Sequence, residues 1–543
     1  MGESQGISRG ESIVTNNRSF EQLDLKEKIG QLFMCGFNGF EPTEEIIGLI
    51  KEYGIGGIIY FRRNLRDAAQ VAELSAKLQD ASSDPLFIAI DQEGGMVVRL
   101  EEGVTVMPGA MAQGAAANAE LTYEAARWSG SEMREIGINM NFAPCLDVNN
   151  NPHNPVIGVR SYGEDPKRVG ELGLAAILGY GEGGISAVAK HFPGHGDTAV
   201  DSHHALPVVP HDIKRLNEVE LLPFRQAIER RVDAIMTAHV VFPAFEPDDI
   251  PATLSERIIN GLLRNELGFE GVIVTDCLEM NAIAETIGVA RGAVEAIKAG
   301  ADLILVSHRS DRQKAALEAV LEAVMTGEIA ESRIEEAARR NWELKLARGL
   351  FQSGIPSTNR DKAEEVQRKL SEASVTVVKG EANLPLPRAG KTVVVWTEAR
   401  VGTEVIEVIK QEWTLGAALA QAGYDIKEVR IGIQPKSDEI AAVRAATVGC
   451  KTVVFASYDA GFSAGQTELI RELTANESFA FVWVATRTPY DLLVAPEAPT
   501  YLCAYENKPA MMTALAGVLS GRLPVKAKQP VTIGNYPRVA AEE

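Results

Sequence analysis

The sequence has little that would tie it to a membrane, to nucleic acid or to an oxidising compartment. No apolar run reaches the roughly 20 residues that a membrane-crossing helix needs. Cations are outnumbered: 54 Lys and Arg face 74 Asp and Glu, for a net charge of −20 over 543 residues. Binding a phosphate backbone needs clustered Lys and Arg, so this balance argues against a nucleic-acid partner. Cysteine is scarce: five residues are scattered with no Cys-x-x-Cys pair, which predicts reduced thiols. There is no His-Glu-x-x-His, no Cys/His ligand pattern, no dinucleotide-binding fingerprint and no low-complexity tract. Residues 1–20 are rich in Ser, Gly and Asn and lack an apolar signal core, so they read as a disordered tail. These absences predict a cytoplasmic chain with no membrane or nucleic-acid partner, and no metal or organic cofactor is implied.

What is present is a globular composition, 45% hydrophobic and 24% charged, in a chain too long for one ordinary core. From about residue 25 to residue 351 a short apolar run, a loop and an amphipathic helix recur. The apolar runs cover residues 31–36, 57–61, 86–90, 138–143, 187–190, 234–238, 272–275 and 303–306. Helical patterns lie between them, for example over 66–78, 118–135, 169–181, 218–229, 255–265 and 288–299. Strands alternating with helices imply parallel pairing, and eight of them favour a (β/α)8 barrel over a doubly wound open sheet. The expected divisions are a tail (1–20), the barrel (21–352), a linker and charged helix (353–388) and a smaller C-terminal α/β sandwich (389–543). In the last of these, apolar runs at 393–396, 429–431, 453–456, 479–485 and 501–504 alternate with helical patterns at 405–412, 439–446 and 508–519.

Chemistry-bearing residues follow the barrel strands. Five of the eight histidines fall between His191 and His211, in a Pro/Gly-broken loop after the fifth run. Concentrating the side chain that titrates nearest neutral pH points to proton transfer or metal binding. The pair His191 and His195 has i, i+4 spacing, but Pro193 and Gly194 between them deny it a helix face. The third run leads into Asp91-Gln92-Glu93-Gly94-Gly95, the fourth toward Asp147 and Arg160, the fifth ends in Lys190-His191, the sixth in His239, the seventh in Asp276 and the eighth in Ser307-His308. In such a barrel these ends converge on one mouth. A carboxylate directly after a strand, as Asp276 is, suits a nucleophile or general base. Asp201-Ser202-His203 sets an acid two residues from a histidine, where it can hold the ring tautomer and favour the protonated form.

Lys190-His191-Phe192-Pro193-Gly194-His195-Gly196 with Asp201-Ser202-His203 downstream resembles the signature of glycoside hydrolase family 3, in its β-N-acetylglucosaminidase (NagZ-like) branch. Asp91-Gln92-Glu93-Gly94-Gly95, Asn154-Pro155-Val156-Ile157-Gly158, Arg160-Ser161-Tyr162-Gly163 and Val274-Thr275-Asp276 are similar to further family blocks, in the family's order. The resemblance implies that Asp276 is the nucleophile forming a covalent glycosyl-enzyme and that His203, partnered by Asp201, is the acid/base. It implies further that Asp91, Arg99, Arg160, Lys190 and His191 bind the sugar. Retaining glycosidases need one nucleophile and one proton donor flanking the scissile bond, and Arg, Lys and Asp suit hydroxyls and an acetamido oxygen. His195 reads as a loop brace, and His204 stays ambiguous.

The chain departs from the family's pattern at Met96, where Arg is frequent, and at Cys277, where a second acid is common. Cys277 reads as a packed neutral thiol. The implied activity is an exo-acting, retaining β-N-acetylglucosaminidase acting on a small carbohydrate, cell-wall fragments or chitooligosaccharides. Three alternatives remain at this stage. A phosphorylase is one, because a neutral imidazole adds no negative charge against an incoming phosphate. A β-glucosidase of the same family would carry its acid in the second domain. A catalytically dead sugar-binding barrel would have lost Asp276, Asp201 or His203. The Gly-rich stretch 461–465 lacks a nucleotide fingerprint, so the C-terminal domain is expected to pack or to make oligomer contacts. Neither the aglycone nor the oligomeric state is legible.

Overall fold

The computed structural model describes residues 18–199, 206–352, 358–400 and 411–539. Eight strands fall on the eight apolar runs: β1 (Phe33–Cys35), β2 (Gly57–Tyr60), β3 (Phe87–Ile90), β4 (Met140–Asn141), β5 (Ser186–Phe192), β6 (Ala234–Thr237), β7 (Val272–Val274) and β8 (Ile304–Val306). All pair in parallel, in the order β7-β6-β5-β4-β3-β2-β1-β8. The ring closes between β7 and β8 through a parallel bridge of Val274 with Leu303 and through Thr275 N–H to the Leu303 carbonyl at 2.9 Å. The doubly wound alternative is therefore excluded.

Alternation along the strands explains why the runs read as unbroken apolar stretches. Met34, Ile59, Phe87, Ala89, Val188, Val272, Val274 and Leu305 fill the barrel interior, while Phe33, Cys35, Ile58, Tyr60, Ile88 and Ile90 pack outward against the helices. A parallel strand covered on both faces has no polar side to show. The helices start where side-chain caps permit. Asp67, Asn118 and Asp165 accept from Gln70 N, Leu121 N and Lys167 N at the heads of helices Ala68–Ala81, Ala119–Glu135 and Pro166–Glu182. The single helix expected over 218–229 is two, Ile213–Glu218 and Leu222–Glu229. Pro223 has no N–H for the carbonyl of the preceding turn, so it fits only in the first turn of a new helix. The pattern at 255–265 is a π-helical stretch, Arg257–Glu266.

A second, six-stranded sheet runs β11 (Ile426–Gly432), β10 (Thr392–Glu398), β12 (Thr452–Ser457), β13 (Ala480–Ala485), β14 (Tyr501–Cys503) and β9 (Thr376–Lys379). Five strands are parallel, and β9 joins the edge antiparallel to β14. Thus the second sheet begins ahead of residue 389, at β9. The charged helix expected before it, Arg360–Ser374, packs on helices Ala110–Ala116, Ala119–Glu135 and Pro509–Leu519. Barrel and second sheet share an apolar cluster in which Met111, Ala112 and Val159 meet Val375, Leu386 and Leu515.

At the N-terminus, Phe20 is buried edge-on against Trp342 at 6.1 Å, so it belongs to the barrel's core although the sequence reading put it in the tail. The rest of that tail up to residue 17, the first residues of the expected linker (353–357) and most of the helix expected at 405–412 lie outside the described residues. Among the described residues no helix is long and apolar enough to cross a membrane.

Candidate active site

The C-terminal ends of the barrel strands open onto a cavity of ≈ 440 Å³, within the range of small-molecule sites. Six of the residues singled out in the sequence line it: Asp91 after β3, Arg99 in the following loop, Arg160, Lys190 and His191 on β5, and Asp276 after β7. Asp201 and His203, with His204, lie outside the described residues, at 200–205. Phe61, Arg63, Met236, Met280 and His308, on or after β2, β6, β7 and β8, are among the other residues that line it.

A buried ion network organises the floor. Lys190 Nζ lies 2.7 Å from both Asp91 Oδ1 and Glu93 Oε1. Arg160 grips Glu93 with two hydrogen bonds, Nη2 to Oε1 at 2.8 Å and Nε to Oε2 at 3.0 Å. Burial by itself would raise the Glu93 carboxyl, but the Arg160 and Lys190 charges outweigh it and hold it at about 2. Burial works against the Lys190 ammonium too, and Asp91 and Glu93 overcome it, so its pKa stands above the usual lysine value. Arg99 Nη2 sits 3.7 Å from Asp91 Oδ2. Asp91 is therefore edged by two cations, and Lys190 and Arg160 are held as fixed donors.

His191 is oriented from behind. Its Nδ1 lies 2.7 Å from Asp147 Oδ2, a carboxylate with no solvent exposure. Asp147 also accepts from the backbone N–H of His191 and of His195 and from the Cys145 thiol. Burial opposes its charge, yet the imidazoles of His191 and His195 and these donors depress its pKa well below the usual carboxylate range. His195 also faces the cavity, with Nδ1 2.8 Å from Thr198 Oγ1 and its ring edge-on to His191 at 5.8 Å. Burial and the neighbouring His191 push its pKa down to about 4, so this imidazole is neutral at pH 7 and braces the loop.

Asp276 is partly open to the cavity, and its Oδ1 accepts from Cys277 N at 2.7 Å. Buried His239, expected at the end of the sixth run, holds this turn from below: Nε2 lies 3.0 Å from the Cys277 carbonyl oxygen, and Nδ1 meets Thr253 Oγ1 at 2.8 Å. Cys277 is a buried neutral thiol whose pKa is pushed up to about 12, chiefly by burial.

Two members of the site were not singled out as binding groups from the sequence. Glu93 sits two residues past Asp91 inside the quoted motif, and in an extended segment that spacing returns a side chain to the same face. Asp147 was seen only as a residue after the fourth run, because its pairing with His191 spans 44 residues of chain. The cradle around Arg63, whose guanidinium lies 4.4 Å over Phe61 while Nη2 donates to the Ser307 carbonyl at 2.7 Å, carried no sequence signal.

With this geometry in place, the chain compares as follows with known proteins. The sequence model described as "Glycosyl hydrolase family 3 N terminal domain" matches residues 24–344. A glycoside hydrolase family 3 beta-N-acetylglucosaminidase from Paenibacillus sp. str. FPU-7 superposes with a TM-score of 0.92 at 52% identity, over 94% of this chain and 99% of that one. Beta-hexosaminidase A of Pseudoalteromonas piscicida is 38% identical over 377 residues, 63% of this chain and 62% of that protein's length. A beta-hexosaminidase of Methylobacillus flagellatus is 37% identical over 280 residues, 50% of this chain and 79% of that protein. The matched segment spans all eight barrel strands and every cavity residue named above, and the chain belongs to glycosyl hydrolase family 3.

Proposed function

We propose that the chain is a retaining exo-β-N-acetylglucosaminidase that removes terminal β-linked N-acetylglucosamine from cell-wall fragments or chitooligosaccharides in the cytoplasm. The observation that carries this reading is the gathering, in one barrel-mouth cavity, of the Asp276 carboxylate with Asp91, Lys190, Arg160, Arg99 and His191. The names of the family relatives support the sugar class. The reaction needs no metal or organic cofactor.

In the first displacement Asp276 attacks the anomeric carbon as the glycosidic C–O bond breaks. His203, as imidazolium held by Asp201, gives its proton to the departing oxygen. In the second, neutral His203 takes a proton from water, and the resulting nucleophile breaks the bond between the sugar and Asp276. Fixed groups hold the sugar while positive charge builds on its ring. Asp91 accepts from sugar hydroxyls while Lys190 and Arg160 donate to hydroxyls or to the acetamido oxygen, and all three are held by the buried network before substrate arrives.

The deciding experiment is turnover of p-nitrophenyl β-N-acetylglucosaminide beside the glucoside, each with and without phosphate, with analysis of the sugar formed. Preference for the acetamido sugar with free N-acetylglucosamine released supports the proposal. A phosphate-dependent rate yielding the sugar 1-phosphate replaces it with a phosphorylase. No turnover of either substrate returns the chain to a sugar-binding barrel.

A further inference from the structure

A second set of converging donors lies outside the sugar cavity, on the chain that enters and leaves residues 200–205. Asp197 Oδ2 meets His211 Nε2 in a short contact, and both side chains are partly open to solvent. Behind them sits Glu220, at the turn between the helices Ile213–Glu218 and Leu222–Glu229, with a side chain only 2% exposed. One ligand atom from each of Asp197, His211 and Glu220 falls within 4.8 Å of the others.

The partners of Glu220 leave a gap. Its Oε1 accepts from Asn150 Nδ2 and from Arg215 Nη2, both at 3.3 Å. Its Oε2 is buried with no hydrogen-bond donor among the described residues, and so is the Oδ1 of Asn150. A buried carboxylate oxygen without a donor is costly, and native interiors fill such positions with a proton, a water or an ion.

We propose that Asp197, His211 and Glu220 form a site for one divalent transition-metal cation, Zn²⁺ or Mn²⁺. One imidazole nitrogen among oxygen donors suits these ions, whereas an all-oxygen set would suit Ca²⁺ or Mg²⁺. On binding, the cation takes the lone pair of His211 Nε2, any proton shared with Asp197 passes to solvent, and Glu220 Oε2 gains a partner. The ion takes no part in glycoside cleavage. It ties residue 197, before the 200–205 segment, to residues 211 and 220 after it. That tie would constrain both ends of the segment carrying Asp201 and His203, a consequence that rests on the proposed acid/base roles, whereas the binding does not.

The test is calorimetric titration of the chelator-treated full chain with ZnCl₂, and separately with MnCl₂. The variants are His211→Ala, Asp197→Asn and Glu220→Gln, with Cys277→Ser as a control because Cys277, Glu279 and His308 form another compact donor group. The expected result is one equivalent bound by the wild type and by Cys277→Ser. Affinity should fall at least about tenfold in the three variants, the usual scale for lost ligands and their supports. No uptake of either ion, or uptake unchanged by His211→Ala, overturns the proposal. Because His211 lies near the surface, its variant decides the matter even where Glu220→Gln folds poorly. A chain that binds the ion but lacks glycosidase activity would overturn the functional reading and leave the site standing.

Discussion

Glu93→Gln probes the network on which the sugar-binding groups rest. The Glu93 side chain is 6% exposed and is gripped by Arg160 and Lys190, themselves 7% and 2% exposed. Burial works against its charge, and the two cations more than compensate, taking the pKa from the ordinary 4.5 to about 2. At about 1.4 kcal/mol per pH unit, the ionised carboxylate contributes about 3 kcal/mol to folding at pH 7. Because the folded-state value is depressed, this stabilisation is complete above pH 4.5 and is lost as pH falls through about 2, with roughly half left near pH 3. Glutamine keeps the volume but removes the charge and leaves Arg160 and Lys190 underpaired, a change that costs about 3–5 kcal/mol in buried pairs. Urea unfolding of wild type and variant at pH 7, 5 and 3 measures the difference directly. The expected gap is about 3 kcal/mol or more at pH 7 and 5, shrinking toward pH 3, with kcat/KM reduced as Lys190 and Arg160 shift. A gap below about 0.5 kcal/mol, or one that does not change with pH, would refute the claim that Glu93 is an ionised keystone.

Other substitutions test separate parts of the reading. Asp276→Ala removes the proposed nucleophile and should lower kcat by at least about a thousandfold with an unchanged unfolding midpoint. Wild-type-like turnover would end the assignment. His203→Ala should slow substrates with poor leaving groups far more than aryl glycosides, which need little protonation, and equal slowing would argue against the acid role. Asp147→Asn keeps the shape but weakens the hold on His191 Nδ1, so KM for the acetamido sugar should rise about tenfold or more, measured by initial rates. Glu506 of the second-sheet unit is buried, accepts from Gly109 N at 2.7 Å, and burial raises its carboxyl to about 7. A raised carboxyl makes the folded chain lose stability as pH climbs from 4.5 through 7, so Glu506→Gln should flatten the Tm-versus-pH curve over that window.

The sequence by itself determined the eight strands, because parallel strands covered on both faces must read as apolar runs and their loops must carry the polar exceptions. It also singled out Asp276, Asp91, Lys190 and His191 at or just beyond the ends of runs and Arg160 within a quoted motif, whereas Arg99 was named only through the resemblance to the family. Helix ends were less legible: Pro223 opens a new helix where one was expected, for want of an N–H, and Phe20 joined the core because of what packs against it. Only the tertiary structure decided that the six residues share one cavity, since barrel closure brings together groups up to about two hundred residues apart. It alone showed Glu93 wedged between Arg160 and Lys190, Asp147 behind His191, and Glu220 beneath Asp197 and His211. Those pairings are long-range, and their energies come from burial, which no local pattern of residues records.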